Sequence, residues 1–165
     1  MTQGEKGFFD EVYGLEGADD TRRLYDRHAT AYDAEVRASG YASPRRSAEA
    51  LAGLVPDRAT PILDLGCGTG LSGEAFREAG FSVIDGTDFS AEMLAVAEGK
   101  GIYRRLIKGD LNEPIPAAPG EYSVIAAIGV FSPGHAPADM IDTVLDLLPA
   151  GGLFVFTLND HALDE

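Results

Sequence analysis

Pro61–Gly70, PILDLGCGTG, is the stretch whose reading decides the fold. A short apolar run, Ile62, Leu63 and Leu65, carries one acid, Asp64, and then breaks into glycine at alternate positions: Gly66, Gly68 and Gly70. An apolar run that stops in glycines reads as a strand ending in a tight loop. Glycine reaches backbone angles closed to other residues and removes the side chain that would hold a ligand off. Beyond the loop, Leu71, Ala75, Phe76 and Ala79 fall at helical spacing, which predicts a helix over Leu71–Glu78. Strand, glycine loop and helix form a nucleotide-type site, with the first N–H groups of the helix aimed at the ligand.

Upstream, Asp20–Arg37 reads as a helix: Leu24, Tyr25, His28, Ala31, Tyr32 and Val36 fall near one face, and Gly40 ends it. Ser43-Pro44 reads as an N-cap followed by proline at the first helical position, with Ala48, Leu51, Ala52, Leu54 and Val55 as the buried stripe. Residues 1–20 are acidic and Gly-rich and are expected to be a mobile N-terminal segment; residues 21–165 form the domain.

Downstream, Gly80 stops the helix and Phe81–Thr87 reads as a second strand ending at Asp88. Ser90 caps a helix that runs to about Glu98, with Glu92 in its first turn. Tyr103–Lys108 is a third strand, closed by Gly109-Asp110, with Arg104 and Arg105 expected on a solvated face. Proline-rich Asn112–Gly120 is loop. Tyr122–Gly129 is nearly all apolar and therefore a central, buried strand. Ser132–Pro137 is loop, Ala138–Leu148 a helix and Leu153–Leu158 a fifth strand.

Strands that alternate with helices imply crossover units and a parallel sheet. The expected fold class is therefore α/β, a doubly wound and mostly parallel Rossmann-like sheet. Its ligand lies at the carboxyl ends of strands one, two and four. Asp64–Gly70, Asp88, Asp110 and Gly129 all fall at strand ends.

The totals set the remaining bounds. A chain of 165 residues is one domain by length, with 45% hydrophobic and 24% charged residues, the balance of a globular protein. A net charge of −14 argues against a nucleic-acid partner and an anionic membrane surface, since both are held largely by cationic contacts. There is no apolar run of about 18 residues and the N-terminus lacks a signal-peptide core, so a cytoplasmic location is expected. The single cysteine, Cys67, excludes an internal disulfide and a cysteine-rich zinc site; no metal is expected. Cys67 reads as a small, semi-buried member of the loop.

The glycine spacing chooses among nucleotides. The dinucleotide fingerprint is G-x-G-x-x-G, whereas here the run is G-x-G-x-G and Leu71 stands at the last fingerprint position. That disfavours a pyrophosphate and therefore a nicotinamide oxidoreductase. S-adenosylmethionine has no phosphate; it offers an amino group, a carboxylate, a sulfonium and an adenosine. Asp64 suits the amino end, directly or through water. Asp88, one helix further on, is placed to accept the ribose hydroxyls.

Over about residues 25–160 the sequence resembles the class I S-adenosylmethionine-dependent methyltransferases. LDLGCGTG at 63–70 resembles the family's first motif, in which Gly66, Cys67 and Gly68 line the cofactor. GTDFSAEML at 86–94 resembles the second: the resemblance gives Asp88 to the ribose and Phe89 to the adenine, and carries over Met93 as a cofactor-binding position. GDLNEP at 109–114 implies Asp110 at the adenine amino group and the Leu111 N–H at the ring. IGVFS at 128–132, with Gly129, resembles the segment beside the methionyl part, and LPAGGLFVFT at 148–157 the entry to strand five. YDRHATAYDAEV at 25–36 resembles the leading helix of small-molecule methyltransferases, which implies a methionyl contact for Tyr32. Within the family the chain is most similar to the Williams–Beuren-region methyltransferase-like proteins.

Two departures stand out. Ser123 replaces a usual aspartate of structural role. The family's sheet closes with two further strands, which here are expected to be lacking. Leu153–Phe156 would then lie on a bare edge, covered by the rest of a longer chain, by a partner or by a homo-oligomer.

The expected function is methyl transfer from S-adenosylmethionine, giving S-adenosylhomocysteine, with a small molecule as acceptor. Base methylases often carry an Asp/Asn-Pro-Pro-aromatic element after strand four, where this chain has Ile128–Phe131. A protein side chain is the second acceptor class. The alternative function is a non-catalytic cofactor-binding or interaction protein. No catalytic residue is assigned. If the acceptor must lose a proton, His28 and His135 are the candidate bases, against a plain reading as exposed histidines; His161 is incidental.

Overall fold

The structure, a computed structural model, describes residues 32–38, 40–131 and 136–158. The expected N-terminal segment, His28, His135 and His161 lie outside the described residues, as does the side chain of Tyr32. The elements run α1 Tyr32–Ala38, α2 Ser43–Leu54, β1 Ile62–Leu65, α3 Leu71–Glu78 and β2 Ile84–Asp88. Then follow α4 Ala91–Gly99, β3 Arg105–Lys108, β4 Val124–Phe131, α5 Met140–Leu147 and β5 Leu153–Leu158.

The strands form one five-stranded sheet in the order β3-β2-β1-β4-β5, and every pairing is parallel. The chain builds from β1 to β2 and β3 on one side, then returns to place β4 on the other side of β1. The crevice between the carboxyl ends of β1 and β4 is thus the point where the winding reverses, the usual ligand position in such sheets. Alternation along each strand splits the core in two. Ile62, Ile84, Val124 and Ala126 pack against α2 and α3 through Leu51, Val55 and Phe76. Leu63, Leu65, Ile125 and Ala127 pack on the opposite face against α5 through Met140 and Val144.

The element boundaries differ from expectation where a cap or a side chain claims the backbone first. Ser43 lies inside α2 and Ala42 is its N-cap, while Pro44 takes the first turn as predicted. β2 begins at Ile84, not Phe81. Gly80, at φ 102°, closes α3, and the Phe81 N–H donates to the carbonyl of Phe76. Phe81 therefore belongs to the helix stop, and its ring meets Phe76 edge-on at 6.5 Å. β3 begins at Arg105, so Tyr103 and Arg104 fall outside it, although the Arg104 N–H still donates to the Ile84 carbonyl at 2.8 Å. β4 runs two residues past Gly129, where the register with β5 shifts and φ is 71°. Ser90 caps α4 as expected, accepting from the Met93 N–H at 3.2 Å.

Arg104 and Arg105 do not form a merely solvated face. Asp85, in the middle of the sheet and fully buried, accepts from Arg104 Nε at 3.0 Å and Nη2 at 2.5 Å. Arg105 Nη2 adds a contact at 3.3 Å and the Tyr122 hydroxyl another at 2.6 Å. Burial alone would raise the Asp85 carboxyl; these donors outweigh it and hold the group below its ordinary value. A buried carboxylate must find partners, and the ones that reach it stand on the neighbouring edge strand and before β4. Tyr122→Phe removes the hydrogen bond to Asp85 and the one the hydroxyl accepts from Arg105 Nη2 at 2.7 Å, and is expected to cost about 2 kcal/mol. Asp85 is depressed, so its stabilisation is present above the ordinary carboxylate range and is lost as pH falls through its folded value. Denaturant melts at neutral and acid pH check both statements: the gap between wild type and variant should narrow in acid.

Candidate cofactor site

The site begins where β1 stops. Gly66, Gly68 and Gly70 hold φ of 64°, 56° and 99°, so the chain leaves the sheet through three left-handed residues in five. The Cys67 N–H donates to the Thr87 carbonyl at 2.9 Å and the Gly70 N–H to the Cys67 carbonyl at 3.0 Å, which fixes the loop against β2. α3 starts at once, with Gly70 as its cap.

Asp88 ends β2 and is 7% exposed. Its Oδ2 accepts from the Gly68 N–H at 2.9 Å and its Oδ1 from the Ser90 N–H at 3.0 Å. One carboxylate thus ties the glycine loop to the start of α4. Phe89 is half-buried beside it, whereas Met93 is wholly buried. Asp110, after β3, accepts from both the backbone and side-chain N–H groups of Asn112 at 2.9 Å. Leu111 and Val130 close over Gly66: a Cβ added there would lie 2.3 Å from Val130 Cγ1 and 3.5 Å from Leu111 Cδ1. At the β4 bulge Gly129 is exposed, its N–H donates to Thr157 Oγ1 at 2.8 Å, and a Cβ there would lie 2.5 Å from the Tyr41 hydroxyl.

Asp64 is entirely buried. Its Oδ2 accepts from Ser72 Oγ at 2.6 Å and from the Tyr103 hydroxyl at 2.8 Å; its Oδ1 has no hydrogen-bond partner. Burial pushes its carboxyl up to about 7, against the pull of the two hydroxyls. Cys67 is buried and its thiol is pushed well up by desolvation and by Asp64 and Asp88, which makes it an unreactive member of the loop.

The structure therefore brings Asp64, Gly66, Cys67, Gly68, Asp88 and Leu111 together at the end of β1, with Phe89, Asp110 and Gly129 on the segments that leave the strand ends. Ser72 and Tyr103, which the sequence reading did not single out for the site, hold Asp64. Five more residues missed there tie α1 to the loop and to α3. Thr69 Oγ1 donates to Asp33, Lys100 Nζ reaches the same carboxylate at 2.5 Å, and Lys100 also approaches Glu74 at 3.6 Å. Arg37 of α1 completes the tie to Glu74 at 2.8 Å. Among the described residues no cluster of three or more His, Cys, Asp or Glu has the form of a metal site, and no helix is long and apolar enough to cross a membrane.

A doubly wound parallel sheet, a G-x-G-x-G loop and an acid at the end of β2 define a nucleoside-binding α/β protein. Residues 62–152 match the family described as a methyltransferase domain. Human methyltransferase-like protein 27 is similar throughout, 33% identical over 172 residues that span 98% of this chain and 70% of the relative. The 18S rRNA (guanine-N(7))-methyltransferase of Bos taurus is 34% identical over 107 residues, 64% of this chain and 35% of its own. Several curated relatives are covered by this chain over less than half their length. Among solved structures, S-adenosylmethionine-bound CalS10, an amino pentose methyltransferase of Micromonospora echinaspora, is 26% identical. The match covers 76% of this chain and 55% of that one, with a TM-score of 0.59. A DhpI–SAM–HEP complex shares the fold at 22% identity and a TM-score of 0.62, over 98% of this chain and 72% of that one. The chain belongs to the methyltransferase domain family and is a class I S-adenosylmethionine-dependent methyltransferase. Its cofactor is S-adenosylmethionine.

Proposed function

We propose that this site moves the methyl group of S-adenosylmethionine to a small-molecule acceptor, and that it does so by holding the cofactor from both ends. The observation that supports this most is Asp88, nearly buried yet at the mouth of the loop, with both oxygens already oriented by backbone N–H groups. A carboxylate so fixed is ready to accept the two ribose hydroxyls. The residues fit the cofactor elsewhere too. At Gly68 the loop backbone is open, with nothing within 4 Å of an added Cβ, and Asp64 Oδ1 is a buried acceptor still without a donor. Asp64 takes the amino end, directly or through water. Phe89, Asp110 and the Leu111 N–H take the adenine, and Gly129 lies along the methionyl part.

S-adenosylmethionine supplies a methyl group already activated by its sulfonium, so the protein has chiefly to align acceptor, methyl and sulfur. The fixed loop, Asp88 and Asp64 provide that alignment. No base is assigned to the acceptor.

A small molecule is favoured over nucleic acid by the net charge of −14 and by the Ile128–Phe131 run after the crevice. Relatives from Bos taurus and Saccharomyces cerevisiae are 18S rRNA methyltransferases, and one from Halalkalibacterium halodurans is a malonyl-[acyl-carrier protein] O-methyltransferase. Both acceptor types therefore belong in the test. The same reading places the protein in the cytoplasm and leaves the β5 edge for a homo-oligomer or a further segment. Calorimetry with S-adenosylmethionine, S-adenosylhomocysteine and NAD comes first; tight NAD binding and no sulfur-ligand binding would refute the proposal. Transfer of labelled methyl to small-molecule pools, to purified proteins and to rRNA then assigns the acceptor. Label found only in RNA would sink the small-molecule reading, and binding without transfer to anything would favour a non-catalytic role.

Asp64 gives a pH signature. Its folded value of about 7 lies above the ordinary 3.8, so the empty protein keeps a proton that the unfolded chain has released. Stability is therefore expected to fall as pH rises from about 4 to about 7, by up to the order of 4 kcal/mol, and to level off above that. An ammonium brought to Asp64 favours the charged form. Binding of S-adenosylhomocysteine is then expected to release most of one proton near pH 6 and almost none at pH 8.5. Binding enthalpies in buffers of different ionisation heat read that number; equal enthalpies near pH 6 would contradict the assignment of Asp64.

A further inference from the structure

We propose that Tyr103 is a positioning residue of the cofactor site: its hydroxyl, donated to Asp64 from beneath the glycine loop, fixes the carboxylate so that one oxygen is left for the cofactor's amino end. The proposal rests on the reading that Asp64 receives that end.

Tyr103 comes just before β3, the edge strand, two strands away from β1. Its ring reaches Asp64 only by crossing β2. The sheet is open at that point because Gly86 stands there, paired in register with Asp64 on one side and Leu106 on the other. A Cβ at Gly86 would lie 2.9 Å from Tyr103 Cε1 and 2.9 Å from Cys67 Sγ. On the helix side, a Cβ at Gly73 would lie 2.4 Å from the Tyr103 hydroxyl oxygen, and one at Gly70 3.1 Å from Cε2. Three glycines, from the loop, from α3 and from β2, enclose one phenol. Gly70 also has a positive φ to explain it, but Gly73 and Gly86 do not. Glycine inside a helix or strand is destabilising relative to alanine, so Gly73 is best accounted for by the close approach of the ring, and Gly86 by the ring together with Cys67 Sγ.

A phenylalanine would fill the same slot. What the tyrosine adds is the hydroxyl, 2.8 Å from Asp64 Oδ2, an oxygen that Ser72 Oγ also meets at 2.6 Å. Both donors fall on one oxygen, and Oδ1 is the one without a partner. Asp64 is surrounded by the Tyr103 and Ser72 hydroxyls, the Cys67 thiol and the carboxylate of Asp88. Of these, Asp88 opposes its ionisation while the two hydroxyls favour it. Tyr103 thereby controls both the orientation of the acid and the pH at which it can meet a cation.

The test compares wild type, Tyr103→Phe, Ser72→Ala and Asp64→Asn in two measurements between pH 5.5 and 8.5. One is the NMR titration of the Asp64 carboxyl in the empty protein; the other is the affinity for S-adenosylhomocysteine. Tyr103→Phe is expected to raise the Asp64 midpoint and to move the pH profile of affinity upward with it. Affinity should fall about three- to tenfold at pH 6.5 and recover near pH 8.5. Ser72→Ala should shift both in the same direction. A Tyr103→Phe protein that melts earlier but keeps the Asp64 midpoint would overturn the proposal, since a ring that merely packs cannot set that value. If the midpoint moves and the affinity profile does not, or if Asp64→Asn binds as wild type does, the assignment of Asp64 to the amino end is what fails.

Discussion

Asp88→Ala is expected to weaken S-adenosylhomocysteine binding by about ten- to a hundredfold. On the proposed placement of the ribose, the charged hydrogen bonding its hydroxyls lose with this carboxylate is worth about 1.5–3 kcal/mol in all. The loss has a second origin in the protein itself. Without the carboxylate, the Gly68 and Ser90 N–H groups lose their acceptor, and the loop is no longer tied to the start of α4. Asp88→Asn separates the two effects. An amide oxygen can serve one of those N–H groups, but it carries no charge and turns an NH2 toward the other. Asn should therefore recover part of the thermal stability that Ala loses, and little of the affinity. Calorimetry and melting of both variants check this; an Ala variant that binds as wild type does would displace the ribose from Asp88.

Gly66→Ala carries the other large effect. A left-handed φ costs a non-glycine residue about 1–2 kcal/mol, and here the new methyl would also stand 2.3 Å from Val130 Cγ1. Val130 is buried in β4 just past the bulge, so it has little room to yield. A total loss of about 2–4 kcal/mol in stability is expected, together with weaker cofactor binding, because relieving the overlap must displace Val130 or the glycine loop at the end of β1. Gly68→Ala is the control. Its φ of 56° carries the same backbone cost, but nothing lies within 4 Å of the added Cβ. It should lose only about 1–2 kcal/mol. Val130→Ala in the Gly66→Ala background should restore part of the stability. Equal losses for Gly66→Ala and Gly68→Ala would show that backbone conformation alone, and not the close approach of β4, demands glycine at 66.

The fold was legible because its signals are local and repeated. Ile62–Leu65 followed by alternate glycines, the Ser90 cap and the unbroken apolar run of β4 each specify an element within a few residues. Their alternation then leaves a parallel sheet as the way to bury them. The strand boundaries were less legible. Phe81 reads as a strand residue by its apolar character, but the stop of α3 had already taken its N–H. Arg104 and Arg105 read as solvated because charge is local information. That Asp85 needs them is known only once β2 and β3 are side by side.

By itself, the sequence determined the class of this protein. The glycine spacing, and acids at Asp64, Asp88 and Asp110 in order, suffice because each marks a strand end that the parallel topology must bring to one side. Tertiary structure alone decided how the site is held. Tyr103 crosses β2 above Gly86, between Gly70 and Gly73, to reach Asp64, and Asp33 of α1 meets Thr69 and Lys100. Such contacts join residues far apart in the chain. They depend on which backbone atoms come close enough to exclude a Cβ, and no spacing pattern encodes that distance.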